Sequence, residues 1–111
     1  MVSALLAVLI RAIEPLEGVE LMRRQRPQAR RDIDLTNGPG KLCQAMGIDR
    51  QADRLLLSPE SQLYIERGDE VAPSEIIAAP RIGVDYAGAA AKWPLRFYIK
   101  HNLFVSKQLK L

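Results

Sequence analysis

With 111 residues, 48% of them hydrophobic and 26% charged, the chain is long enough for one small globular domain and too apolar for a disordered one. A formal charge of +3 permits a polyanionic partner without indicating one, so the placement of charge matters more than its sum. A single cysteine, Cys43, and a single histidine, His101, exclude an internal disulfide and leave no zinc-ligand spacing.

The opening "MVSALLAVLI" lacks the basic start of a signal peptide, meets Arg11 and Glu14 at once, and is too short to span a bilayer. No membrane association is expected, and the default compartment is intracellular and reducing. Residues 4–13 are almost continuously aliphatic, which predicts a strand covered on both faces. "EPLEGVELMRRQRP" predicts a helix from Pro15, at the first helical position, to a stop at Pro27. Glu14, Glu17 and Glu20 precede Arg23, Arg24 and Arg26, an order that complements the helix dipole, and Glu20 and Arg24 form an i,i+4 pair. Leu16, Val19 and Met22 would share its inner face.

An arginine-rich loop follows, "RPQARRDIDLTNGPGK". "GPGKLCQAMGI" then predicts a short helix capped by Thr36 or Asn37, buried through Leu42, Ala45 and Met46, and ended by Gly47. "LYIERGD" reads as a strand running into a turn. "SEIIAAPRIGVDYAG" reads as a strand interrupted by Pro80 and Gly83, and "WPLRFYIKHNLF" has a strand core over residues 95–99. The expected fold class is α+β, a mostly antiparallel sheet of three or four strands with short helices, forming an incomplete single domain. The first strand needs neighbours on both sides, and the chain is short of them.

Four features carry candidate chemistry. Arg11 is either a rim residue paired with Glu14 or Glu17, or a guanidinium aimed at a phosphate or a reacting water. Arg23, Arg24, Arg26, Arg30 and Arg31 place five arginines in nine residues with no acid between them. That is either a solvated surface or a polyanion contact. "TNGPGKL" turns into a helix N-terminus beside Lys41, a seat for phosphate or a plain cap, and it lacks the P-loop spacing. Glu14 and Glu17 serve a helix start rather than acid–base chemistry. Of the aromatics Tyr64, Tyr86, Trp93, Phe97 and Tyr98, which could stack on bases, most are expected in the core.

Taken in order, "LIRAIEPLEGVELMRRQR", "NGPGKLCQAMGI", "IERGD", "PRIGVDYAG" and "KWPLRFYI" resemble the alkylpurine (3-methyladenine) DNA glycosylase family over residues 9–106. The resemblance implies extrusion of a damaged purine from duplex DNA and hydrolysis of its N-glycosidic bond by an activated water, the first step of base excision repair. It implies double-stranded DNA carrying alkylated bases as partner, no metal or organic cofactor, and an intracellular location, cytoplasmic or nucleoid-associated if the source is bacterial. By the same resemblance, Arg11 stands at the active-site edge and the main-chain carbonyl of Ile82 orients the water. Arg26 and Lys41 meet DNA phosphates, with Asn37, Gly38 and Gly40 supplying backbone donors.

The family's general-base glutamate, its base-pocket aromatics and its duplex wedge belong to a segment N-terminal to the first strand seen here. The resemblance therefore places this sequence as the C-terminal half of such a domain, truncated and inactive alone, with an apolar face that the missing N-terminal half would cover. A non-catalytic DNA-binding remnant is the alternative.

Overall fold

Gly47 ends a helix as the sequence predicts. In the computed structural model, which describes residues 7–109, α2 (Pro39–Met46) closes where Gly47 enters the left-handed region at φ 69°. The amide of Gly47 donates to the Gln44 carbonyl at 3.3 Å and that of Ile48 to the Cys43 carbonyl at 2.8 Å, the paired bonds of a Schellman motif. The start of α2 departs from expectation. Gly38, in extended conformation, precedes Pro39 with no side-chain cap. The Thr36 hydroxyl donates instead to the Ile13 carbonyl at 2.7 Å, and Asn37 turns to Asp34 and Lys41.

Helix α1 (Val19–Gln25) is shorter than predicted. Gly18 sits at φ 75° just ahead of it, and a left-handed residue cannot continue a right-handed helix, so Pro15 lies upstream of the first turn. Leu16 is consequently 85% exposed rather than part of an inner face. Glu20 pairs with Arg23 at i,i+3, not with Arg24. The dipole order survives, with Glu20 in the first turn and Arg23 and Arg24 in the last.

The chain divides into two compact units, Met1–Gln51 and Ala52–Leu111. In the first, α1 touches α2, and the buried core is Leu35, Thr36, Leu42 and Ala45. Met46, expected inside, is exposed. The predicted strand over residues 4–13 is not formed in its described part, 7–13, which is irregular; residues 4–6 lie outside the described residues. Val8 is 90% exposed. A strand buried on two faces requires flanking strands, and the described residues of this unit contain none. The segment is tied down at its end. The Ile13 amide donates to the Thr36 carbonyl at 3.2 Å, returning the Thr36 hydroxyl bond to Ile13.

The second unit is built on an antiparallel pair, β1 (Ile76–Ala79) with β2 (Arg96–Ile99), in the register Ile76↔Ile99, Ile77↔Tyr98, Ala78↔Phe97 and Ala79↔Arg96. Pro80 ends β1 because it cannot donate to the ladder. Ala79 and Tyr98 are buried on one face. There the Arg96 guanidinium stacks 4.8 Å above the Tyr98 ring and donates to the Lys107 carbonyl, while the Tyr98 hydroxyl accepts from the Leu109 amide at 2.8 Å. The opposite face presents Ile76, Ala78, Phe97 and Ile99, all exposed.

The architecture is α+β and its sheet antiparallel, with two strands among the described residues where three or four were expected. "LYIERGD" forms no strand. Tyr64, Tyr86, Trp93 and Phe97 are exposed, and of the five aromatics named above only Tyr98 is buried. Among the described residues, no helix is long and apolar enough to cross a membrane.

Candidate nucleic-acid interface

The arginine-rich loop joins α1 to α2, and its cations are sorted by acids on either side of the cluster. Arg23 grips Asp32 through two bonds, Nε–Oδ1 at 3.0 Å and Nη2–Oδ2 at 2.7 Å, and reaches Glu20 at 2.8 Å. These bonds hold the Arg23 guanidinium above, and the Asp32 carboxyl below, their ordinary ranges. Arg31 holds Asp34 in the same two-pronged way, at 2.9 and 3.1 Å. The Asp34 carboxyl is depressed, first by the Arg31 hydrogen bonds and further by Asn37 and Lys41. The side chains of Arg24 and Arg30 are exposed and make no hydrogen bond or ion pair among the described residues.

Arg26 stands apart from the other four. It is 6% exposed. Its Nη1 donates to the Asp34 carbonyl at 2.5 Å and reaches the Leu35 carbonyl at 3.4 Å, while its Nε donates to Gln44 Oε1 at 3.2 Å. Gln28 donates to the same Gln44 oxygen at 2.8 Å. The sequence places Arg26 as a phosphate ligand; in the folded unit its guanidinium is engaged with protein acceptors.

Lys41, in the first turn of α2, extends its Nζ to Asn37 Oδ1 at 3.1 Å, and Asn37 Nδ2 donates to Asp34 Oδ1 at 3.4 Å. The first regular helical bond of α2 runs from the Leu42 amide to the Gly38 carbonyl at 2.8 Å. The Gly40 and Lys41 amides ahead of it have no backbone partner among the described residues. A side chain at Gly40 would meet open space, and one at Gly38 only an ordinary contact with Lys41. The turn is therefore open above its amides. Together these groups border a shallow recess of about 530 Å³, lined by Arg26, Arg30, Arg31 and Lys41 beside Gln28 and Asp34. It is a positively charged hollow at a helix N-terminus, suited to an anion.

Asn37, Gly38, Gly40 and Lys41 adjoin one another in the turn into α2, and of these Lys41 lines the recess together with Arg26. Arg11 lies exposed in the irregular segment of the first unit. Ile82 belongs to the second unit, half-exposed in a bend after β1, and its carbonyl accepts no hydrogen bond among the described residues. Among the described residues, no group of three or more His, Cys, Asp or Glu side chains could hold a metal ion. Sequence reasoning overlooked Asp34, the hub that joins Arg31 to Asn37. The Arg31–Asp34 spacing of three residues is the signal that could have found it.

The depressed carboxyls of Asp32 and Asp34 set a pH dependence. A carboxyl that ionises more readily folded than unfolded stabilises the fold above its unfolded pKa, about 4. That contribution disappears as pH falls through the folded value. Acidification from about pH 5 to about pH 2 is expected to loosen the loop, read as a lower protection factor (the exchange rate relative to the intrinsic rate at each pH) for the Leu35 amide, which bonds the Asp32 carbonyl at 3.1 Å. A protection factor that stays unchanged over this window would contradict the pairing.

Comparison with known proteins shows the family. The model of the methylpurine-DNA glycosylase family matches residues 3–103, and the chain belongs to that family. Relatives from Bdellovibrio bacteriovorus and Methanocella arvoryzae, provisionally named 3-methyladenine DNA glycosylases, are 52% and 50% identical over 104 and 102 residues. Each match covers 92% of this chain and 50% of the relative. The human DNA-3-methyladenine glycosylase is 43% identical over 109 residues, covering 89% of this chain and 36% of the human protein. The chain thus spans half or less of the length of these relatives.

Proposed function

We propose that this chain is the C-terminal portion of a DNA-3-methyladenine glycosylase domain, acting in base excision repair by hydrolysing the N-glycosidic bond of an alkylated purine flipped from duplex DNA. Its contribution is to hold the duplex. The observation that carries the reading is the cationic recess at the start of α2, within a chain that belongs to the methylpurine-DNA glycosylase family. Lys41 and Arg30 meet phosphates, the Gly38–Gly40 turn offers backbone donors, Asn37 orients Lys41, and Arg26 forms the recess floor. Such contacts set register and orientation without reading sequence. Arg11 keeps its role at the active-site edge and the Ile82 carbonyl its role toward water, each on the family resemblance. The exposed apolar ribbon face, Ile76, Ala78, Phe97 and Ile99, is where the remainder of the domain packs. A second reading, a DNA-binding remnant without chemistry, draws on the fact that every cation of the recess comes from one unit.

The test is the salt dependence of binding to a short duplex. With two phosphates neutralised, by Lys41 and Arg30, the slope of log K against log salt is about −2, and affinity falls about tenfold between roughly 50 and 200 mM salt. The double variant Arg30→Gln, Lys41→Gln is expected to flatten most of that slope. A folded chain that fails to bind at low salt, or binds with no salt response, refutes the reading.

A further inference from the structure

Among the cations of the recess, only Arg26 is buried. Its bonds run in two directions, Nη1 to the carbonyls of Asp34 and Leu35 and Nε to Gln44 on α2. Asp34 is the residue whose carboxylate grips Arg31 and accepts from Asn37, and Asn37 in turn accepts from Lys41. Fixing the Asp34 backbone therefore fixes the carboxylate on which the outer cations are arranged.

We propose that Arg26 is a positioning residue of the DNA interface. It braces Asp34 and Leu35 against α2, so that Arg31 and, through Asn37, Lys41 face the recess, and it makes no phosphate contact of its own. The proposal rests on the DNA-holding reading above and deepens it. A guanidinium suits the task because its planar fork serves separate acceptors from one side chain. A lysine ammonium keeps the charge but cannot span Gln44 and the two carbonyls in the same geometry.

The test compares Arg26→Lys with Arg30→Gln in the full chain. Charge is conserved in the first and removed in the second. If Arg26 positions, Arg26→Lys weakens duplex binding about tenfold and flattens the salt slope by about one contact, as Arg30→Gln does. If Arg26→Lys keeps the slope and loses less than about threefold in affinity, the proposal is overturned. A second readout needs no DNA. The Asp34 carboxyl, followed by carbon NMR, should titrate below the ordinary carboxylate range in the unaltered chain and return toward it in Arg26→Lys; an unchanged Asp34 titration overturns the brace. Gln44→Leu, on the exposed side of α2, guards against an Arg26→Lys chain that fails to fold. It removes one arm of the brace and should weaken binding several-fold, and unchanged binding counts against the proposal. If the unaltered chain binds no duplex, the DNA-holding reading fails, and the Asp34 titration still decides the role of Arg26.

Discussion

Given duplex DNA carrying an alkylated purine, the purified 111-residue polypeptide is expected to release base about 10²- to 10⁴-fold more slowly than full-length relatives, the range over which a general base acts. The expectation starts from what the chain carries. Arg11 is exposed in an irregular segment, where no rigid strand aims its guanidinium. Glu14 and Glu17 are exposed and precede α1, at the start of a helix rather than in an enclosed site. Water activation needs a positioned base, and the family resemblance assigns that role to a glutamate beyond this sequence. The assay is base release from a labelled duplex, with the Bdellovibrio relative run alongside. Turnover within a few-fold of the relative would show that the chain supplies its own base. Duplex binding without release matches the expectation.

Replacing Leu35 by alanine is expected to destabilise the first unit by about 2–5 kcal/mol, the range for emptying a buried leucine site. Leu35 is 1% exposed and sits where several constraints meet. Its amide bonds the Asp32 carbonyl, its own carbonyl receives Arg26, and the next residue, Thr36, anchors Ile13. The buried apolar residues beside it in this unit are Leu42 and Ala45, so a cavity at Leu35 takes a large share of the core. A unit of about fifty residues has little stability in reserve. The expected readout is a loss of helical circular dichroism at 25 °C or a sharply lowered thermal midpoint. Leu16→Ala, at an 85% exposed site, is expected to stay within about 0.5 kcal/mol of the unaltered chain. Equal effects from the two substitutions would sink the assigned core.

The turn into α2 was legible in the sequence. "NGPGKL" pointed to a helix start with open amides and a lysine beside them, and α2 begins at Pro39 with Lys41 in its first turn. These signals act over three or four residues and need no distant partner. The five-arginine cluster was legible as charge but not as function. Which arginines remain available depends on acids that reach back from Asp32 and Asp34, and on Gln44, eighteen residues from Arg26. Those separations are set by how α1 and α2 pack. The helix expected from Pro15 failed for a local reason, the left-handed Gly18; the aliphatic run before it failed for want of neighbours.

The sequence by itself determined the family, the α+β class with antiparallel strands, the ending of α2 at Gly47 and the strand core near residues 95–99. Each follows from backbone preferences or from long ordered motifs. Only the tertiary structure decided that Arg26 is buried, that Arg23 and Arg31 are held by carboxylates while Arg24 and Arg30 have no such partner among the described residues, and that residues 7–11 and one face of the ribbon stay exposed. Burial and ion pairing belong to the neighbours a residue acquires on folding, and a run of aliphatic residues becomes a buried strand only where other strands close over it.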